Sequence, residues 1–207
     1  LAGVGWADSG DPFDRRVPRA RPGFRPVMRI IYALALASLS LLGSGEGIAQ
    51  GIVPTRGARV ERLMEVARDT IGWKEERGNS GPVVDKILTS VGLEGTGAPW
   101  CAAWVVFVGD EAFGKQHNPF PRSAWSPAFV VKPSWNRGKG ITPGPADAFG
   151  IYFQSLRRVA HTGLIERIEG KMAVTIEGNT NDDGSREGDG VYRKRRPLGT
   201  ILARNWL

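Results

Sequence analysis

The chain carries one cysteine, Cys101, and two histidines, His117 and His161, in 207 residues. A cysteine nucleophile needs a lowered pKa, which a helix N-terminus supplies through its free N–H groups and dipole. Cys101 is placed for that, in the first turn of the apolar stretch "PWCAAWVVFVGDEAF". The thiolate also needs a base within hydrogen-bond reach. His161 opens the strand-like stretch "AHTGLIERI", and the small Thr162 and Gly163 after it leave an approach open, whereas His117 sits in the loop "GKQHNPF". The base in turn needs an acceptor that holds its useful tautomer, and in "VTIEGNTNDDG" strand alternation puts Thr175, Glu177 and Asn179 on one face. Such a set could do the chemistry of a cysteine hydrolase. Taken singly, each residue has an ordinary role: a buried inert thiol, a structural strand histidine, a solvated strand end, a turn-forming amide. Their joint presence carries the reading.

These groups must be positioned by helices that come first and strands that come later. Val60, Leu63, Met64, Ala67 and Ile71 recur at helical spacing in "RVERLMEVARDTIGW". After the turn "ERGNSG", Ser80 can cap a second helix with Pro82 in its first turn, Val83, Val84, Ile87, Leu88 and Val91 on its apolar face, and Gly92 at its end. The third segment is apolar on every side, which means burial; its Trp-Val-Val-Phe-Val run would equally suit a strand, while Pro99 and the alanines after Cys101 favour a helix start. Residues 114–146, with six prolines, read as a long loop with one short helix around "SAWSPAFV". Strand patterns follow in "DAFGIYF", "AHTGLIERI", "MAVTIEG", "GVYRKRR" and "TILARNWL". Helices followed by antiparallel strands give an α+β expectation, with N-terminal helices packed on a C-terminal antiparallel sheet.

The N-terminal quarter has a different character. Residues 1–27 hold four prolines and five arginines without periodicity and read as a disordered or mis-assigned extension. Met28-Arg29, the apolar "IIYALALASLSLLG" and the small Gly47 and Ala49 read as a signal peptide over 28–49. Fourteen residues with two serines fall short of the roughly 20 that span a bilayer, so no stable membrane anchor is expected. The remaining domain, residues 50–207, carries 22 basic and 17 acidic side chains, a net +5 that suits an anionic partner. A lone cysteine in an exported chain makes no internal disulfide, so its thiol is either buried and inert or put to use.

From about residue 56 to the C-terminus the chain resembles the CHAP amidase family of peptidoglycan hydrolases, within the papain-like NlpC/P60 superfamily. The resemblance is carried by "PWCAAWV", "VAHTGLIERI", and "VTIEGNTN" followed by "GDGVYRKRR". It implies a papain-like α+β fold, a cysteine nucleophile at a helix start, a histidine on a strand and an acid or amide on the next strand. Cys101, His161, Glu177 and Asn179 match in order and type. Either Glu177 or Asn179 could orient His161; Glu177 is favoured as the direct partner, with Asn179 shaping the site. Many members have Gln or Gly before the cysteine, whereas Pro99 and Trp100 stand here, which leaves the backbone N–H of Cys101 as the candidate oxyanion donor.

The implied reaction is acyl transfer on a stem-peptide amide of peptidoglycan, as a muramoyl-alanine amidase or an endopeptidase, without cofactor or metal. The protein is expected to be secreted or periplasmic and monomeric. Trp125 and Trp135 in the long loop would suit a sugar-bearing polymer, or would pack in the core. A zinc site from Cys101, His117, His161 and Glu177 lacks the close ligand pairs that preorganise metals. The turn "NDDGSREGDG" lacks the ligand pattern of a calcium loop and reads as a solvated hairpin turn. "RKRR" at 193–196 reads as a strand with two charges facing each way rather than as a nucleic-acid surface. The rival of another class is a non-catalytic secreted module that binds the cell envelope through a degenerate site.

Overall fold

Three helices precede a sheet in the order the periodicities predict. The computed structural model describes residues 54–181 and 188–207. The extension, the signal segment and most of the acidic turn lie outside these described residues. Helix α1 runs Arg56–Asp69, α2 Pro82–Thr89 and α3 Cys101–Phe113. The strands are β1 Trp135–Asn136, β2 Lys139–Gly140, β3 Ala148–Phe153, β4 Arg158–Glu169, β5 Met172–Thr180, β6 Gly190–Pro197 and β7 Ile201–Arg204. They form one antiparallel sheet in the order β2-β1-β7-β3-β4-β5-β6. The architecture is α+β, with the three helices packed on the sheet.

Helix α3 is the central element, and its sequence explains why. Every residue from Cys101 to Gly109 is buried, so it packs against α1, α2, β4 and β5 rather than presenting one stripe. The core on the helix side includes Trp100, Trp104, Phe107, Phe129, Leu164 and Ile176. At roughly 1.5–3 kcal/mol for each large apolar side chain buried, this cluster dominates the packing energy. Strand alternation sends Phe149, Ile165, Ala173, Ile201 and Ala203 to a second, smaller cluster, to which Trp135 also belongs.

Two local expectations are corrected, and a third that the sequence leaves open is resolved. The cap of α2 is Gly81, at φ 109°, not Ser80, whose hydroxyl turns back to the Arg77 carbonyl. Within 114–146 the short helix forms as a single 3-10 turn at Ser126–Val130, but the loop also contains the hairpin β1–β2, whose two-residue strands are too short for a periodicity to show. Of the two loop tryptophans, Trp125 is exposed and Trp135 is core, its indole N–H donating to the Leu198 carbonyl at 3.0 Å.

The basic run on β6 alternates as its period requires. Arg193 and Arg195 are exposed, while Lys194 and Arg196 are partly buried on the other face. Arg193 donates to the buried Glu166 at 2.7 and 3.0 Å, and Arg68 of α1 reaches the same carboxylate at 2.9 Å, which ties the first helix to the sheet. Arg195 pairs with Glu169, and the Lys194 ammonium donates to the Asn181 carbonyl at 2.7 Å. Among the described residues no helix is long and apolar enough to cross a membrane.

Candidate active site

Cys101 is the first residue of α3, so its thiol sits at the positive end of thirteen helical residues. The preceding Trp100 is fully buried and anchors this end through its indole N–H to Glu75, 3.2 Å away. Trp104, one turn on, donates to the Thr70 hydroxyl at 3.1 Å and fixes α3 against the end of α1. Strand β5 lies close beneath: a Cβ at Gly178 would meet Trp104 at 2.7 Å and Trp100 at 2.9 Å. Only a glycine permits that approach, which brings the Glu177–Asn179 segment to the start of the helix.

His161 on β4 and Glu177 on β5 point to the same sheet face, with side chains 3% and 0% exposed. Their rings and oxygens meet at 2.8 Å between Nε2 and Oε2. The edge of the Phe149 ring supports the imidazole, with centroids 6.4 Å apart. Gly163 does not open an approach to the histidine as its size suggested. A Cβ there would lie 2.7 Å from the Ile176 carbonyl oxygen, 2.9 Å from Phe149 and 3.1 Å from the Glu177 Cγ, so the missing side chain lets β4 and β5 close up around the Glu177 stem.

Glu177 is held by three further hydrogen bonds, from two residues. The Arg196 guanidinium donates Nε to Oε1 at 2.9 Å and Nη2 to Oε2 at 2.6 Å, and the Thr175 hydroxyl donates to Oε1 at 2.6 Å. Burial pushes this carboxyl up, but Arg196 and then His161 outweigh it and hold it at about 2. Glu177 is therefore an anion at neutral pH despite its complete burial.

The imidazole is left with Nδ1 to offer to the thiol. Nδ1 is buried and has no hydrogen-bond partner at ordinary distances, yet the ring and the thiol are close enough to shift each other strongly. Such contacts commonly tighten when substrate arrives. Burial pushes the Cys101 thiol up; His161, then Ser126 and the Thr162 backbone, more than reverse this, so the thiol lies below its ordinary value. Burial pulls His161 down, while Cys101 and Glu177 raise it to about 9. His161 is thus protonated at neutral pH, and the thiol is displaced in the direction that forms a thiolate–imidazolium pair. The Ser126 hydroxyl stands 3.5 Å from the sulfur, at the start of the 3-10 turn.

Asn179 is adjacent to the cysteine rather than to the histidine. Its backbone is left-handed, at φ 54°, a conformation Asn tolerates better than most side chains. With its amide oriented to suit its neighbours, the oxygen accepts from the Trp100 backbone N–H at 3.1 Å and the nitrogen donates to the Gly188 carbonyl at 3.0 Å. It thus braces the backbone just before Cys101. His117 is exposed in the turn after α3, and among the described residues no group of three or more His, Cys, Asp or Glu is arranged to hold a metal ion.

Two members of the site escape sequence reasoning. Ser126 lies 25 residues from Cys101 in an irregular loop and has no pattern to mark it. Arg196 had a partial signal, since alternation turns it inward beside a strand that carries an acid. A cleft of about 190 Å³ opens at the sulfur, lined by Ala98, Pro99, Trp125, Ser126, Arg158 and Asn179 among others. Compared with known proteins, the chain matches no family model, no curated protein and no solved structure.

Proposed function

We propose that this chain is an exported cysteine hydrolase that cleaves an amide bond of peptidoglycan stem peptides. The observation that carries the reading is the buried Cys101–His161–Glu177 alignment, in which Glu177 occupies one imidazole nitrogen and leaves the other for the thiol. A buried thiol of purely structural use has no need of a histidine raised to about 9 beside it, nor of a carboxylate held ionised behind that histidine. The resemblance of the three motifs to the CHAP amidases supports the choice of substrate, and the basic character of residues 50–207 suits an anionic wall polymer.

The chemistry follows from the ionised pair. The Cys101 sulfur attacks the amide carbonyl carbon, forming a C–S bond while the carbonyl electrons move to oxygen. That oxyanion is placed for the N–H of Cys101, which has no hydrogen-bond acceptor among the described residues, with the Ser126 hydroxyl close by. Collapse breaks the C–N bond as His161 delivers its Nδ1 proton to the departing amine. Neutral His161 then removes a proton from water, which attacks the thioester carbon, and the released thiolate re-forms the pair with His161. Glu177 stays ionised throughout and holds the imidazole by Nε2.

The deciding experiment digests purified peptidoglycan with residues 50–207 and, in parallel, with the Cys101→Ala variant, and identifies the fragments by mass spectrometry. New amine and carboxyl ends from the wild type alone are expected, and their masses name the bond. No cleavage of any wall tested by either protein would overturn the hydrolase and favour an envelope-binding module.

A further inference from the structure

The cleft beside Cys101 has a marked chemical asymmetry. Ala98, Pro99, Ala124 and Ala160 make small apolar walls, and Arg158 is the one basic residue among the described lining residues. The Arg158 guanidinium lies over the Trp125 ring, 4.4 Å from its centroid, and Trp125 is 52% exposed. Arg167 on the same strand and Arg193, Arg195 and Arg196 on β6 each face a carboxylate. Arg158, at the start of β4, faces none among the described residues, and its one hydrogen bond there goes to the Val159 carbonyl at 3.1 Å. A guanidinium stacked on an indole is held in orientation while its N–H edges stay free, and that edge geometry matches a carboxylate.

Size decides what enters. At about 190 Å³ the cleft falls below the roughly 300–1,000 Å³ of pockets that enclose a whole small molecule. One residue of an extended substrate fits, with the rest of the chain outside. We propose that Arg158 and Trp125 form a subsite for a carboxylate of the substrate residue next to the scissile amide. The inference rests on the hydrolase reading for its reaction but on the cleft alone for its binding chemistry. Trp125 supplies the apolar platform, the alanines exclude bulky or branched residues, and Arg158 rewards an anion within a few bonds of the carbonyl under attack.

The test uses soluble disaccharide-peptide fragments of peptidoglycan, with stem carboxylates free or converted to amides. Both are titrated calorimetrically into the Cys101→Ala chain and offered to the cysteine-bearing chain. The free-acid fragment is expected to bind roughly ten- to a hundredfold tighter, as the loss of one charge-assisted contact implies. Arg158→Gln should abolish that preference without changing the melting temperature, Arg158→Lys should recover part of it, and Trp125→Ala should weaken both fragments. Equal binding of the two fragments, or a preference that survives Arg158→Gln, overturns the subsite. Selective binding without cleavage keeps the subsite and removes the hydrolase. Cleavage without selectivity does the reverse, and neither binding nor cleavage overturns both.

Discussion

Replacing Arg196 by Met tests the buried charges behind the histidine. Arg196 is 17% exposed and makes two hydrogen bonds to a carboxylate that is 0% exposed. Methionine fills much of the same volume but leaves Glu177 with His161 and Thr175 alone. Breaking a buried pair by removing one partner costs about 3–5 kcal/mol. Because His161 still balances part of the charge, we expect the low end, about 3 kcal/mol. For a domain of this size that lowers the melting temperature by roughly 6–12 °C. The acid side should move as well. Glu177 now titrates at about 2 against an ordinary 4.5, so its stabilisation is present above 4.5 and lost as pH falls through about 2. Without Arg196 the folded-state value rises and the loss begins at higher pH. Thermal melts from pH 3 to 8, with urea titrations at pH 7, read both effects. The double variant Arg196→Met/Glu177→Gln should regain part of the lost stability while losing activity, since it buries no unpaired charge. A melting temperature within 2 °C of wild type for Arg196→Met, at unchanged acid sensitivity, would refute this account of the site.

Three further outcomes follow from the same geometry. The profile of kcat/KM against pH should rise as the Cys101 thiol ionises below its ordinary value and fall as His161 loses its proton near 9; in Glu177→Gln the alkaline limb should move to lower pH, and a limb that stays in place sinks the role given to Glu177. The raised His161 also stabilises the fold below its ordinary 6.5, an effect lost as pH rises through about 9, which thermal melts of wild type and Glu177→Gln on the alkaline side would show. Asn179→Ala should cost roughly 1–3 kcal/mol through the bonds lost at Trp100 and Gly188, and lower kcat, yet leave the alkaline limb unmoved, because Asn179 makes no bond to His161. A shifted limb in that variant would place the amide on the histidine after all.

Helices and strands are legible in this sequence because their apolar periods differ and their interiors are long. The five later strand segments fall on β3 to β7, and α3 begins at Cys101 because Pro99 precedes it and a uniformly apolar run follows. What escapes is set by geometry that no local period encodes. Residues 135 and 136 pair with 139 and 140 over too few positions to show alternation. Gly81 takes the cap from Ser80 through a positive φ. Gly163 looks like an opening in the sequence and is a close approach in the fold, because the Ile176 carbonyl, the Phe149 ring and the Glu177 side chain already occupy the space. Asn179 and Glu177 share a strand and a face by alternation, but the left-handed backbone at 179 turns the amide toward Trp100 instead.

The arginine run shows the same point in electrostatic form. Read as a line of charge, "RKRR" is a solvated face with two residues turned each way. In the fold Arg193 and Arg195 do face outward, onto Glu166 and Glu169, while Arg196 turns inward to Glu177. The inward charge changes what the site can hold. Arg196, Glu177, His161 and Cys101 alternate in sign along one buried path, plus, minus, plus, minus, when the thiol is ionised. A lone buried thiolate or carboxylate would neutralise itself by taking a proton. Here each charge has its opposite on at least one side and the path is neutral as a whole, so each anion costs less out of water than it would alone. Without Arg196 the Cys101–His161–Glu177 set would carry a net negative charge in a nearly dry site, and the thiolate, at the end of the path, is the member that would most readily be protonated. The last arginine of a run that reads as surface charge thereby bears on the thiol at the start of α3.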